Sequence, residues 1–415
     1  MNDMGFVDKR LMRGVPPPPE YRVRADQAYA DPRLTRWYMQ HAREVSGTAD
    51  VSCRHAPVVP LPEEPTDLDG AIVSRADGGQ WTLAEMLRGT CVDAIAVLRG
   101  GRLVYERYFN GMRPETPHLC QSVTKALASC VAAALVEAGR LSVDDEVAAI
   151  VPELAGSAYG GARLRHLLDM SVGIDYEDEL DKPEYDGARL CRLEGVQPAL
   201  ADDEPGSAYD FATQSRRQGE HGAVFHYVSL NTFVLGWVME RAAGLPMPEL
   251  LRSLVWSKLG TEHDAHILLD GAGSAQLDGG FSCSLRDLAR FGLMLCQDGV
   301  IGDTQVVPSW WLYDVRRNGD KAAFKAAADT WGDGRSYDGW SYRSCFWVCE
   351  SDDHIAFSGV GWLGQRVYVV QETGVVVAMF SSRPQDREDE MGAHAFPACE
   401  DLSRLLAEHG GRAGS

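Results

Sequence analysis

Ser122-Val123-Thr124-Lys125 precedes the apolar segment Ala126 to Glu137, and this stretch decides how the rest of the chain is interpreted. Residues three apart share a helix face, so the Ser122 hydroxyl and the Lys125 amine would lie one turn apart. A serine hydroxyl becomes a good nucleophile when a neighbouring base takes its proton, and a lysine can be that base only where its surroundings hold it neutral. The alternative is an ordinary helix N-terminus, with Ser122 as the cap and Lys125 as a solvated cation.

Alternating apolar residues predict two β-hairpins, one on each side of this segment. The first runs from Ala94 through the glycine turn at Gly100-Gly101 to Phe109. The second joins Gln365 to Val370 with Val375 to Phe380 through a turn that contains Gly374. Strands early and late in the chain indicate an antiparallel sheet to which both chain ends contribute.

Helical patterns fill the middle of the chain, at Arg163 to Met170, Ser229 to Ala243 and Ser284 to Cys296. We therefore expect an α+β fold, an α/β sandwich whose antiparallel sheet is flanked by helices, with a mainly helical inserted domain. The predicted division has three parts: a proline-rich irregular N-terminal arm (residues 1–85), an α/β domain (86–160 and 285–415) and the helical insertion (161–284).

Composition limits the possible partners. The 415 residues are 45% hydrophobic and 24% charged, with a net charge of -20 at pH 7. Nucleic-acid binding needs clustered Lys and Arg, so the charge argues against a nucleic-acid partner and favours small neutral or cationic substrates. The N-terminus shows no secretory signal, and no apolar run reaches the roughly 18 residues of a membrane span. We expect a cytoplasmic protein that does not bind membranes.

The ten cysteines are scattered and are expected to be reduced, buried thiols. Neither they nor the pair His263 and His266 supplies the ligand spacing of a metal site, so no metal is predicted. Gly359-Val360-Gly361-Trp362-Leu363-Gly364 matches the dinucleotide-binding pattern, but a strand pattern follows it where that fingerprint requires a helix. These glycines instead indicate a strand edge approached closely by another backbone or by substrate. No cofactor is implied.

Tyr227-Val228-Ser229 stands at the start of an apolar helix. A tyrosine hydroxyl can relay a proton if a nearby cation lowers its pKa from about 10. The alternative is that Tyr227 is a packing aromatic residue and Ser229 an N-cap. Taken alone, the tripeptide does not separate the two interpretations.

In chain order, Ser-x-x-Lys on a helix, Tyr-x-Ser about a hundred residues later and Gly-x-Gly near the C-terminus resemble the three motifs of the serine β-lactamase and penicillin-binding protein superfamily. Further blocks resemble its class C-related branch, which includes the nylon-oligomer hydrolases. Among them are Val151-Pro-Glu-Leu-Ala-Gly-Ser157, Phe225-His-Tyr-Val-Ser-Leu-Asn-Thr232 and Gly279-Gly-Phe-Ser-Cys283.

The resemblance implies a role for each matching residue. Ser122 would be the nucleophile, Lys125 the base and Tyr227 the proton relay, and the backbone N–H groups of Ser122 and Trp362 would form the oxyanion hole. Tyr176, Gly359 and Gly361 would bind substrate, with Tyr176 closing over it. A neutral Lys125 near pH 7 to 8 would require its pKa to fall about 3 units below the reference value of about 10.4.

Gly359 departs from the family pattern, because β-lactamases and peptidoglycan enzymes usually carry Lys or His there to receive a substrate carboxylate. An unpaired carboxylate is costly in a partly dry site, so β-lactams and cell-wall peptides are disfavoured. The sequence therefore predicts a serine hydrolase that cleaves small linear amides or esters through an acyl-enzyme. The first alternative is an acyltransferase on the same fold. A β-lactamase, a DD-peptidase and a non-catalytic ligand-binding module are less favoured alternatives. By analogy with relatives, a homodimer is a possible assembly.

Overall fold

Both predicted hairpins are present and belong to one antiparallel sheet. The structure is a computed structural model that describes residues 8–53, 57–180, 182–200, 206–331, 335–387 and 391–411. Its strands, in chain order, are β1 (Thr48–Val51), β2 (Ile72–Ser74), β3 (Gln80–Thr82), β4 (Val92–Arg99), β5 (Arg102–Tyr108), β6 (His118–Leu119), β7 (Ile174–Asp175), β8 (Arg216–Arg217), β9 (Ala265–Leu268), β10 (Phe281–Cys283), β11 (Val300–Ile301), β12 (Thr304–Gln305), β13 (Trp340–Arg343), β14 (Phe346–Glu350), β15 (Ile355–Gly361), β16 (Gln365–Val370) and β17 (Val375–Ser381).

The main sheet has seven strands in the order β13-β14-β15-β16-β17-β4-β5. The early hairpin (β4 and β5) joins the late one (β16 and β17) where β17 pairs antiparallel with β4, for example Val377 with Val97. Both ends of the chain thus contribute strands to the sheet, as the alternating patterns predict.

Alternate residues of the central strands enter two different cores. In β17, Val376 and Ala378 face one core, whereas Val377 and Met379 face the other. Successive side chains of a strand point to opposite faces, so a strand that is apolar at every position needs cover on both sides. Helices supply that cover, which gives the α+β sandwich expected from the sequence.

The helices are α1 (Pro32–His41), α2 (Leu83–Gly89), α3 (Val123–Glu137), α4 (Val147–Ile150), α5 (Leu164–Leu168), α6 (Asp186–Leu193), α7 (Ala208–Gln214), α8 (Leu230–Ala243), α9 (Met247–Leu250), α10 (Leu285–Cys296), α11 (Ser309–Arg317), α12 (Lys321–Ala328) and α13 (Ala395–Gly411). Each of the predicted helical patterns contains one of them. Helix α3 is buried at nearly every position, as its apolar sequence requires. It ends before Gly139, which adopts a left-handed conformation (φ 65°) that favours glycine.

A second, four-stranded sheet was not predicted. Its strand order is β1-β9-β10-β6, and β1 comes from the N-terminal arm. The arm also contains helix α1, which starts at Pro32 and is capped by the Asp31 side chain. Proline is well tolerated in the first turn of a helix, so a proline-rich segment can still contain one. This small sheet joins the arm to β6, the strand that leads into Ser122.

Residues 161–284 hold helices α5 to α9 with only short strands between them. The domain boundaries taken from the sequence remain a prediction. Among the helices that the structure describes, none is both long enough and apolar enough to cross a lipid bilayer.

Candidate active site

Ser122 lies in the turn between β6 and α3. The backbone N–H of Cys120 donates to the carbonyl of Phe281 (2.7 Å), which ties this turn to strand β10. Thr124 strengthens the tie, because its Oγ1 accepts the N–H of Phe281 (3.1 Å). Ser122 makes no side-chain capping bond to the helix backbone. Its hydroxyl is therefore available to other side chains, unlike that of an ordinary N-cap.

Lys125 is buried below Ser122 and is not a solvated cation. Its Nζ donates to Ser122 Oγ (2.9 Å) and to the backbone carbonyl of Asp278 (2.6 Å). Tyr227 lies beside both residues: Lys125 Nζ is 5.1 Å from its ring centroid, and Lys125 and Ser122 both lower the pKa of its hydroxyl. The structure thus brings the predicted nucleophile, base and relay into mutual contact, although Tyr227 follows Ser122 by about a hundred residues.

Aromatic neighbours fix the ring of Tyr227 just before helix α8. Trp347 stacks on it with ring centroids 5.8 Å apart, and Tyr342 meets it at 90° with centroids 6.0 Å apart. Burial disfavours the phenolate and raises the pKa of Tyr227, although the nearby Lys125 cation lowers it in part. The hydroxyl is therefore protonated in the resting protein.

The charge state of Lys125 differs from the sequence-based expectation. Burial by itself lowers the pKa of Lys125, but the charges of Tyr227 in its ionised form, Asp278 and Asp178 outweigh burial and place that pKa above its ordinary value. This direction favours the ammonium form of Lys125, whereas a base must be a neutral amine. The sequence argument considered the apolar helix around Lys125 and not the carboxyl groups facing it.

A cavity of about 630 Å³ opens in front of these residues and carries an acidic cluster, which we define as Asp178, Glu194 and Asp278. Burial, with the charge of Asp278, raises the pKa of Asp178 to about 7, against the opposing effect of Lys125. Each of the three side chains keeps part of its surface open to the cavity. A ligand in the cavity would meet these carboxyl groups directly.

Glu194 and Asp278 hydrogen-bond to each other through their carboxyl groups. Such a contact requires a proton between them. Burial and the charge of Asp278 place the pKa of Glu194 well above its ordinary value, which supplies that proton. Glu194 Oε1 and Asp278 Oδ1 are both buried and have no other hydrogen-bond partner in the described part of the chain.

The end of β15 forms the opposite edge of the site. Gly361 and Trp362 line the cavity together with Ser122. A Cβ at Gly361 would lie 2.5 Å from the carbonyl oxygen of Cys120, so only glycine lets the strand approach the Ser122 turn this closely. This is the close backbone approach that the glycine pattern predicts. It places Gly361 and Trp362 on the lining of the same cavity as Ser122.

Gly359 does not line the cavity. A Cβ at this position would meet Val367, Ala126 and Val123 at 3.1 to 3.3 Å, so it would point at helix α3 and β16. A longer cationic side chain would need these groups to move. The packing thus gives a physical reason why no cation stands here.

Tyr176 is also absent from the cavity lining. It is buried at the end of β7, with its ring centroid 6.3 Å from that of Phe211. Its proposed closure over substrate remains a prediction from the resemblance. Within the described residues, no group of three or more His, Cys, Asp or Glu side chains could hold a metal ion.

Sequence reasoning missed the acidic cluster, Tyr29 and Trp347, all of which line the cavity. Asp178 and Asp278 adjoin quoted motifs, at Tyr176 and Gly279, and that proximity was the only available signal. No periodic pattern marks them, because they lie on irregular segments.

The fold and the site together define a serine hydrolase of the β-lactamase type, and comparison with known proteins agrees. The family model described as Beta-lactamase matches residues 84–398, which is most of the chain, so the protein belongs to the beta-lactamase family. The expected superfamily, fold class and hydrolase activity are thereby confirmed.

The chain is 35% identical over 371 residues to the 6-aminohexanoate-dimer hydrolase of Paenarthrobacter ureafaciens, covering 89% of this chain and 91% of the relative. A Bacillus anthracis structure described provisionally as a 6-aminohexanoate-dimer hydrolase superposes with a TM-score of 0.83 at 26% identity, covering 93% and 97% of the two chains. EstCE1, described as a hydrolase with promiscuous acyltransferase activity, superposes with a TM-score of 0.59 at 18% identity, covering 77% and 98%, and shares the fold.

Proposed function

We propose that the protein hydrolyses small linear amides or esters through an acyl-enzyme on Ser122, and that the preferred acyl group carries a remote ammonium. The observation that carries the first part is the contact of Lys125 Nζ with Ser122 Oγ at 2.9 Å, with Tyr227 beside both residues. In this arrangement Lys125 accepts the Ser122 proton as the Ser122 oxygen attacks the carbonyl carbon. Tyr227 then delivers a proton to the leaving amine or alkoxide.

Lys125 can act as a base only after it has lost one proton. When it is neutral, two N–H bonds remain to serve the Asp278 carbonyl and Tyr227, which leaves the lone pair directed at Ser122 Oγ. A substrate cation beside Asp178 and Asp278 neutralises the charges that hold Lys125 protonated, so substrate binding itself favours release of that proton.

The developing oxyanion requires donors. The N–H of Ser122 has no backbone acceptor among the described residues, and the Trp362 backbone faces the same part of the cavity. We assign these two N–H groups to the oxyanion hole. Water then attacks the ester carbonyl of the acyl-enzyme, the bond from Ser122 oxygen to that carbon breaks, and the free acid leaves.

The acidic cluster supports the choice of substrate class. The carboxylates of the acidic cluster that line the cavity would attract a cationic group, whereas a substrate carboxylate would be repelled and would find no cation at Gly359. The 6-aminohexanoate dimer in the name of the relative has an ammonium group on its acyl part and a carboxylate on its leaving part, so its acyl part is the part that matches the acidic cluster. β-Lactams and cell-wall peptides are disfavoured because no cation at Gly359 receives their carboxylates.

The nucleophile is tested by labelling with a fluorophosphonate and by hydrolysis of p-nitrophenyl esters. Ser122→Ala should abolish both, while Ser229→Ala, which changes another serine of the cavity lining, should retain stoichiometric labelling. Wild-type hydrolysis by Ser122→Ala would overturn the assignment. Adding methanol and identifying the products measures acyl transfer, and predominant methyl ester at a large molar excess of water would make the protein an acyltransferase.

The substrate class is tested with p-nitroanilides of 6-aminohexanoate, hexanoate and adipate, which share a chain length and differ in the terminal charge. We expect kcat/KM to decrease in that order. Asp178→Asn should reduce the preference for the 6-aminohexanoyl substrate over the hexanoyl one at pH 8, where the wild-type Asp178 carboxyl is ionised. Equal kcat/KM for those two substrates in the wild-type protein would contradict a cation subsite.

A further inference from the structure

Tyr29, in the part of the N-terminal arm that the structure describes, lies at the candidate active site. Tyr29 lies between a short 3-10 turn (Ala25–Gln27) and helix α1, and it lines the cavity that contains Ser122. Thr35 holds the preceding residue, because its Oγ1 donates to the Ala28 carbonyl at 2.9 Å. Tyr38 of α1 packs edge-on against the Tyr29 ring, with centroids 5.7 Å apart. Tyr29 is therefore held rigidly from the arm side.

The Tyr29 hydroxyl contacts the residue immediately before Ser122. Gln121 Nε2 donates to Tyr29 Oη at 2.8 Å. Gln121 has a φ of 47°, in the left-handed region that residues with a Cβ rarely adopt. The Gln121 Oε1 lies beside Gly279, where a Cβ would approach it to 3.1 Å. The side chain of Gln121 thus lies between the arm and the segment just before β10, and its backbone has a conformation that residues with a Cβ rarely adopt.

The Tyr29 ring contacts the other side of the site. Its centroid lies 5.0 Å from that of Trp362, with the two ring planes inclined at 54°. One residue therefore touches both Gln121 and Trp362. These two contacts flank the backbone N–H groups assigned above to the oxyanion hole.

We infer that Tyr29 is a positioning residue, which acts through Gln121 and Trp362 to set the spacing of the Ser122 and Trp362 N–H groups. The inference rests on the proposed function, since that spacing matters only if an oxyanion forms beside Ser122. The oxyanion hole works by preorganisation, so a small displacement of either donor lowers the rate of the chemical step more than it weakens substrate binding.

The first experiment replaces Tyr29 with phenylalanine, which keeps the ring and removes the hydroxyl. With p-nitrophenyl acetate, which is too small to span the cavity, we expect kcat to fall about tenfold with little change in KM. Tyr29→Ala, which also removes the contact with Trp362, should lower kcat further. The matched control is Tyr38→Phe, because that hydroxyl bonds to Ser46 instead and its loss should leave kcat unchanged.

Rates are expressed per active site titrated by the fluorophosphonate, and the melting temperature is recorded for each variant. An effect through folding alone would reduce the titrated fraction and leave kcat per site unchanged, and that result would overturn the inference. A rise in KM at constant kcat would also overturn it, because it would make Tyr29 a substrate contact only.

A double-mutant cycle tests the route through Gln121. Gln121→Gly removes the side chain and relieves the left-handed backbone, so adding Tyr29→Phe to it should cause little further loss of kcat. Full additivity of the two losses would contradict the proposed route. Wild-type kcat in Tyr29→Phe together with an inactive Ser122→Ala would refute the role of Tyr29 alone, whereas an active Ser122→Ala would refute the proposed function itself.

Discussion

Burial disfavours the ammonium form of Lys125, yet its neighbours reverse that effect, and this balance sets the chemistry at the residue scale. Tyr227, Asp278 and Asp178 together place the pKa of Lys125 above its ordinary value. The fraction of Lys125 in the base form therefore rises with pH through the neutral and alkaline range. The same dependence should appear in the acylation rate of an uncharged substrate.

Asp178→Asn should move that pH profile. Removing the carboxylate removes one of the charges that stabilise the ammonium, so the pKa of Lys125 falls and more base is present at a given pH. We expect kcat/KM for p-nitrophenyl hexanoate to rise at a lower pH than in the wild type. Asp175→Asn is the control, because that side chain is exposed at the start of the same segment. An unmoved profile would show that Asp178 does not control Lys125.

We expect Glu194 to lower the free energy of unfolding at neutral pH. Its pKa in the folded protein lies well above its ordinary value of 4.5, so its favourable contribution to stability is complete only below about pH 4.5 and is lost as pH rises. Glu194→Gln keeps a donor for Asp278 and cannot ionise. The variant should therefore gain unfolding free energy over the wild type as pH rises from about 4 to 8, measured by chemical denaturation.

The matched comparison is Glu153→Gln, which alters an exposed carboxylate. Arg241 and the backbone lower the pKa of Glu153, so its removal has the opposite sign and an effect close to zero at the surface. A flat difference between Glu194→Gln and the wild type across this pH range would mean that Glu194 is not held protonated in the folded protein.

At the scale of elements, the site depends on how closely β15 approaches the turn before α3. Gly361→Ala places a Cβ 2.5 Å from the Cys120 carbonyl oxygen, and backbone must move to accept it. We expect kcat to fall about a hundredfold, comparable to the loss of an oxyanion-hole donor. Steady-state kinetics after active-site titration measures this effect.

Alanine substitutions at two other glycines serve as comparisons for the loss of kcat in Gly361→Ala. Gly156→Ala meets nothing within 4 Å and should retain wild-type kcat, whereas Gly359→Ala meets side chains at 3.1 to 3.3 Å and should show an intermediate loss. Equal kcat for Gly361→Ala and Gly156→Ala would mean that β15 is free to withdraw from the Ser122 turn without consequence.

Strands and helices whose apolar residues recur with a clear period were predictable from the sequence. Those without such a period were not. The hairpins of the main sheet and helices α3, α8 and α10 follow from alternating or helical patterns of apolar residues. The four-stranded sheet was missed, because its strands contain only two to four residues and lie far apart in the chain. Strands this short bear no readable alternation, and their pairing is decided by tertiary packing.

At the scale of the whole molecule, site residues were likewise predictable only where a sequence motif marked them. Ser122, Lys125 and Tyr227 were found through motifs, whereas Tyr29 and Glu194 were not. Tyr29 comes from the arm and Glu194 follows helix α6, so only the folded chain places them in one cavity. The charge state of Lys125 could not be read from the sequence either, because it depends on carboxyl groups supplied by distant segments.

The net charge of -20 and the acidic cavity act together on charged substrates. The screening length falls from about 30 Å at 0.01 M salt to about 10 Å at 0.1 M, so added salt weakens the attraction of a cation from solution. We expect kcat/KM for the 6-aminohexanoyl p-nitroanilide to fall about threefold over this range, that for the adipoyl substrate to rise, and that for the hexanoyl substrate to stay constant. The hexanoyl substrate controls for effects of salt on the protein itself. If all three substrates responded alike, salt would be acting on the protein and the cavity would not select for charge.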